Sequence, residues 1–224
     1  MYQHVIKRIL DFLFALILGI PAFIIIAFCY IAIKAETKGP AFFVQERPGY
    51  KGRIFKIYKL RTMRVEIEEN GRVLRDTERI TRIGGIIRAC SFDELPQLLN
   101  VLKGEMSLVG YRPELRFYVD MYTEEEMPIL DLKPGVTDWA SMANFEQFKG
   151  FTASEDPDAF YLEQVRPLKL RLQLYYRYNH SFWGDIKCLL WTTFKVLTHS
   201  QKLPRDVQKI VDDYSAEKQQ QTLS

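Results

Sequence analysis

A chain of 224 residues has room for one soluble domain and an accessory segment, but is short for two full domains. Its composition, 47% hydrophobic and 26% charged, excludes a disordered chain, and a net charge of +3 is too small to imply a nucleic-acid partner. Cys29, Cys90 and Cys188 form no C-x-x-C, and His4, His180 and His199 are equally scattered. Neither a zinc site nor a disulfide framework is expected, so the globular part is read as lying in a reducing, cytoplasmic environment.

Residues 9–33 read ILDFLFALILGIPAFIIIAFCYIAI, with Asp11 the sole charge. That is long enough to cross a bilayer core of about 30 Å as a helix. A secretory signal is excluded, because the apolar run is too long and no small-residue cleavage pattern follows Ala32. Gly19 and Pro21 fall at the centre of the run, and proline kinks or breaks a helix. Lys7 and Arg8 flank it on one side, Lys34 and Lys38 on the other. Both flanks satisfy the positive-inside rule only if the chain turns back at Gly19-Ile20-Pro21, which predicts a re-entrant element. A kinked spanning helix with weak charge bias is the alternative. The expected organisation is a membrane element over 1–38, a cytoplasmic domain over 39–203 and a polar, mobile tail over 204–224.

Further on, residues 41–47 and 53–60 are strand-like and joined by Pro48-Gly49-Tyr50-Lys51-Gly52, which predicts a hairpin. Residues 65–78 are polar, as for an exposed loop or short helix. Leu95, Leu98, Leu99 and Leu102 have helical spacing, and Lys103-Gly104 ends that run. Pro134-Gly135 marks a turn. Residues 167–178 (PLKLRLQLYYRY) alternate like a strand but have helix-forming residue types, so periodicity leaves both open. Residues 182–197 carry an apolar helical face with Trp183 and Trp191, as suits a membrane interface or a core helix alike.

The chemistry is sought in CSFDELPQLLN, residues 90–100. Ser91 to Glu94 fits a capping box. Pro96, however, is tolerated only in a first turn, so a helix starting at Asp93 or Glu94 is expected, with both carboxylates at its N-terminus. Ahead of them lie Arg53, Lys56, Lys59, Arg61, Arg64, Arg79, Arg82 and Arg88. Such a run is either a solvated face, in water or against lipid headgroups, or a phosphate clamp. Cations beside a carboxylate pair favour its ionised form, as a nucleophile or a magnesium ligand requires.

Three segments together, residues 39–63 (GPAFFVQERPGYKGRIFKIYKLRTM), 81–114 (TRIGGIIRACSFDELPQLLNVLKGEMSLVGYRPE) and 132–140 (LKPGVTDWA), resemble the bacterial sugar transferase family in order and spacing. These are monotopic phosphoglycosyl transferases, and the likeness runs from about residue 4 to 198. The resemblance implies a mostly helical α/β fold: a re-entrant membrane helix broken at Ile20-Pro21, and a compact cytoplasmic domain with a small hairpin and interfacial amphipathic helices. It also implies transfer of a sugar 1-phosphate from a UDP-sugar to polyprenyl (undecaprenyl) phosphate at the bacterial inner membrane, releasing UMP. Asp93 would be the nucleophile and a contact to Mg2+, with Glu94 its acid/base partner. Lys59, Arg61 and Arg88 would lie at the phosphates, and Arg112 with Pro113 at the nucleotide phosphate. Later glycosyltransferases would take up the product. An inactive scaffold with the same fold is the alternative, and loss of Asp93, Glu94 or Lys59 would be its mark. No additional membrane helix is expected ahead of the domain.

The chain also departs from the family pattern. Ile20-Pro21 replaces Ser-Pro at the helix break, and Tyr111-Arg112-Pro113 replaces Pro-Arg-Pro. Asp138 ends the segment usually written PGITG, and residues 139–148 lack the usual Asn-Gly-Arg.

Overall fold

A computed structural model of the chain describes residues 5–65, 68–69, 72–74, 76–143, 156–198 and 200–223. Two compact units emerge, one comprising residues 1–108 and 114–116, the other residues 109–113 and 117–224.

The first unit begins with α1 (Lys7–Glu36), a helix long and apolar enough to cross a membrane. Helical structure continues through Pro21. One stripe faces inward: Asp11, Ala15, Ala22 and Ile33 are buried, and Ile26 and Cys29 are half-buried along the same line. The other faces expose Ile17, Ile20, Phe23, Phe28 and Ile31. The thirty-residue helix therefore buries a single narrow face against protein.

Strands β1 (Phe42–Pro48) and β2 (Ile54–Leu60) form the expected antiparallel hairpin, in register from Phe42 opposite Leu60 to Pro48 opposite Ile54. Lys51 and Gly52 both adopt positive φ in the connection, which turn chemistry of this kind supplies. Where a loop or short helix was expected over 65–78, two short strands, β3 (Glu68–Glu69) and β4 (Arg72–Val73), precede the helical turn α2 (Asp76–Arg79).

Helix α3 (Arg82–Ala89) is capped by Thr81, whose hydroxyl accepts from the Gly84 N–H at 2.8 Å. Gly84 presses on the chain beyond β2: a Cβ there would stand 2.0 Å from the Thr62 carbonyl oxygen. Helix α4 (Gln97–Lys103) buries Leu98 and Val101 and ends at Gly104 in the left-handed conformation, as the sequence indicates.

Strand β5 (Ser107–Val109) leads into the second unit. There the Gly110 N–H donates to Thr137, and the Gly135 N–H to Tyr111, so that Pro134-Gly135 enters strand β6 (Gly135–Thr137) rather than closing a simple turn. A Cβ on Gly135 would lie 2.1 Å from the Gly110 nitrogen, so the two backbones approach closely only without side chains. Short helices α5 (Arg116–Val119), α6 (Trp139–Ala143) and α7 (Pro157–Phe160) lead through a π-turn (Tyr161–Val165) into α8.

The ambiguous stretch is this helix α8, Arg166–Asn179. Leu168, Leu172 and Tyr176, four residues apart, line its buried face beside Val109, Ile129, Leu130 and Trp139. In helix α9 (Phe182–Thr198) Cys188 and Trp191 turn toward the core, whereas Trp183, Leu190 and Leu197 stay exposed. The expected mobile tail is instead helix α10 (Arg205–Leu223). Its apolar positions are few but helically spaced, and Val207 is completely buried with Ile210, Val211 and Tyr214 packed beside it.

Candidate active site

The carboxylates lie on a single 3-10 turn, Phe92–Glu94, between α3 and α4. Ser91 enters the turn with φ 57° and ψ 23°, a left-handed conformation uncommon for a residue with a Cβ, and its side chain caps nothing. The capping box therefore does not form. Phe92 packs toward Ile33, Ala41, Leu60 and Ile87, pinning the turn from beneath. The Leu95 N–H closes the turn on the Phe92 carbonyl, and α4 then begins at Gln97 with Pro96 as its N-cap.

This corrects the expected helix start. Proline has no N–H to give, so it sits at the boundary itself, and Asp93 and Glu94 precede the helix instead of occupying its first turn. With α4 only seven residues long, the local charge environment comes from cations rather than a helix terminus.

Lys59 supplies the nearest of these. Its Nζ lies 3.1 Å from Glu94 Oε1, and both side chains are largely buried. The placement of Lys59 depends on a residue the sequence reading passed over. Asn100, fully buried in α4, donates to the Lys56 carbonyl at 2.7 Å and accepts from the Tyr58 N–H at 3.3 Å. It also donates to Glu105 Oε2 at 2.7 Å. One amide thereby fastens α4 to the edge of β2 just before Lys59. A polar residue among the periodic leucines was the available signal.

Arg88 is exposed at the end of α3, and its Nε donates to Thr62 Oγ1 at 2.7 Å. Arg61 is placed differently from expectation. Its guanidinium is buried and donates to the Lys38 carbonyl at 2.8 Å, the Thr37 hydroxyl at 2.8 Å and the Thr37 carbonyl at 3.3 Å. It holds the C-terminal end of α1. The strand ends at Leu60, so strand alternation does not carry Arg61 onto the face of Lys59.

Arg112 and Pro113 belong to the second unit. The Arg112 N–H donates to Asp138 Oδ2 at 3.1 Å, and Gln173 Nε2 donates to the same oxygen at 3.1 Å. Asp138 Oδ1 accepts from the Ser141 N–H at 2.8 Å, capping α6. This carboxylate, 2% exposed, is the residue that departs from the usual PGITG segment. Its three N–H partners satisfy a buried charge and set the backbone of the Arg112 loop. Part of the segment lacking Asn-Gly-Arg, residues 144–148, lies outside the described residues.

Among the described residues no group of three or more His, Cys, Asp or Glu gathers as a metal cage. Magnesium bound through one or two carboxylates, substrate phosphates and water needs none, so the carboxylates on the 3-10 turn fit that mode of binding.

The bacterial sugar transferase family model matches residues 2–199. Over 193 residues the chain is 40% identical to an uncharacterized sugar transferase, EpsL, of Bacillus subtilis (strain 168), covering 86% of this chain and 88% of that one. It is 37% identical over 197 residues to a UDP-glucose:undecaprenyl-phosphate glucose-1-phosphate transferase of Caulobacter vibrioides, covering 86% of this chain and 70% of that one. A UDP-N-acetylgalactosamine-undecaprenyl-phosphate N-acetylgalactosaminephosphotransferase of Aeromonas hydrophila is 36% identical over 200 residues, which cover 86% of this chain and 44% of that longer protein. The chain belongs to the bacterial sugar transferase family and is an enzyme of the phosphoglycosyl transferase class.

Proposed function

We propose that the chain transfers a sugar 1-phosphate from a UDP-sugar to undecaprenyl phosphate, giving undecaprenyl-diphosphate-sugar and UMP. The observation that carries this is the Lys59–Glu94 pair at 3.1 Å, on the turn that also presents Asp93. In the first step an Asp93 carboxylate oxygen bonds to the β-phosphorus, and the bond from that phosphorus to the bridging oxygen breaks, so UMP leaves with the bridging oxygen. In the second, an acceptor phosphate oxygen displaces Asp93 from the same phosphorus. Splitting the transfer in this way lets a soluble donor and a lipid acceptor react in turn. Glu94, oriented by Lys59, is the acid/base partner. Lys59 and Arg88 meet the phosphates. Asp93 would hold Mg2+, which would supply charge neutralisation on the diphosphate when bound. Arg61 is assigned to the end of α1.

The reading includes a re-entrant α1 at the cytoplasmic face of the inner membrane. Both ends of α1 are fastened within one compact unit. Near the start, Arg8 donates to the Val101 and Leu102 carbonyls, while Asp11 accepts from Ser107 Oγ at 2.7 Å and from the Leu108 N–H at 3.1 Å. Near the end, Glu36 accepts from the Arg82 and Ile83 N–H groups, and Arg61 holds Thr37 and Lys38. A helix crossing a core of about 30 Å would carry its two ends to opposite sides. A bend at Pro21 lets both ends stay on one side, with the exposed apolar faces in lipid.

Incubating the full chain with labelled UDP-sugars and undecaprenyl phosphate should release UMP for at least one donor. Without acceptor, Asp93 should gain the mass of a sugar phosphate. Full activity of Asp93→Asn would refute the assignment, and absence of turnover with every donor would favour the scaffold reading. Single cysteines placed before Lys7 and after Lys38 should label only from the cytoplasm.

A further inference from the structure

Strand β1 exposes three consecutive apolar residues, Phe42, Phe43 and Val44, each more than 40% accessible. Alternation divides them between the two faces of the hairpin. Phe42 turns toward the membrane helix, where its ring lies 6.0 Å from that of Tyr30 in the C-terminal half of α1. Phe43 lies on the opposite face, directly across from Lys59. Residues opposite each other in an antiparallel pair share a face with Cβ atoms about 5 Å apart. The Lys59 ammonium in turn reaches Glu94 on the candidate catalytic turn. One short strand edge thus joins lipid-facing apolar surface to the immediate neighbourhood of the proposed reacting groups.

From this juxtaposition we infer that β1 is the ledge over which the prenyl chain of the acceptor runs, with Phe43 packing on the isoprene units next to the phosphate. The inference rests on the lipid-phosphate acceptor proposed above. A prenyl phosphate has a charged head that must reach the carboxylate turn and an apolar tail that must remain in lipid. An uninterrupted apolar path between those two places is what its chemistry needs, and burial of an isoprene methyl against an aromatic ring is favourable. Bulk bilayer alone would account for Phe42 beside Tyr30. It does not account for an exposed phenylalanine on the Lys59 face.

Two measurements on the full chain in nanodiscs test this. First, Phe43→Ala should raise the KM for undecaprenyl phosphate about five- to tenfold, the size expected for losing an aromatic contact, with the UDP-sugar KM changing less than about twofold. Phe43→Leu should recover most of the loss. Second, a prenyl phosphate carrying a diazirine on its first isoprene unit should label the peptide containing residues 42–44, and undecaprenyl phosphate should compete. An unchanged acceptor KM, a parallel rise in both KM values, or labelling confined to other peptides would overturn the ledge. Labelling does not depend on turnover. If the unmodified chain releases no UMP, the reaction proposal falls, while the labelled peptide still decides where a prenyl phosphate binds.

Discussion

In the first unit a small apolar cluster around Ile33, Leu60 and Ile87 is supplemented by polar side chains that reach another element's backbone, as Arg8 reaches Val101 and Leu102 and Asn100 reaches Lys56. The second unit is assembled on a continuous apolar cluster running from Val109 and Ile129 to Leu172 and Val207. The contrast follows from where the apolar surface goes. Helix α1 turns most of its side chains outward, and in the membrane setting proposed for it an apolar surface gains little by exchanging lipid for protein. Directional hydrogen bonds then have to hold it. Such bonds depend on single atoms, whereas an apolar cluster spreads its stabilisation over many contacts.

If that difference is real, single-atom changes should separate the units. The largest effect is expected on activity. Asp93→Asn should lower UMP release at least about a thousandfold, as for loss of a covalent nucleophile, with little change in thermal unfolding. Asp11→Ala comes next. It deprives Ser107 and Leu108 of a buried acceptor, and about 2–4 kcal/mol of stability should be lost in detergent-based unfolding, with Asp11→Asn costing less. Asp138→Ala carries the same test into the second unit. Three N–H donors lose their acceptor, and about 2–3 kcal/mol should follow, together with a raised KM for UDP-sugar if the Arg112 loop binds the nucleotide. A loss at Asp138 larger than at Asp11 would break the distinction between the units.

Smaller effects sharpen it. Val207→Ala removes two methyl groups from a fully buried position, and about 1–2 kcal/mol should be lost. Deleting α10 should be far worse, since its whole apolar row packs on the core. The Arg171–Glu217 pair, at 2.6 Å on the surface, should matter least: Glu217→Gln should leave Tm within about 1 °C.

Much of the local structure was legible in the residues. The hairpin was written in two strand-like runs around Pro48-Gly49, and α4 in its leucine spacing and Gly104. Helix α10 was missed because its apolar residues are outnumbered by charges. Only the row Val207, Ile210, Val211 and Tyr214, met by a core elsewhere, makes it a packed helix. The site was legible in part. Asp93, Glu94 and Lys59 were named from motif and resemblance, and the last two do meet. Arg61 differs from the expected phosphate position because β2 ends at Leu60 and the guanidinium turns to the end of α1.

By itself the sequence determined the reactive inventory: an apolar segment with a proline at its centre, basic residues ahead of two adjacent carboxylates, and a chain order shared with a family. Those properties reside in residue types and near-neighbour spacing, which the covalent chain carries wherever it folds. Tertiary structure alone decided which of these groups meet one another and which tie elements of the fold together. Asn100 and Lys56, or Asp138 and Gln173, are far apart in sequence, and a buried polar group finds its partner only when the folded backbone brings a donor within about 3 Å.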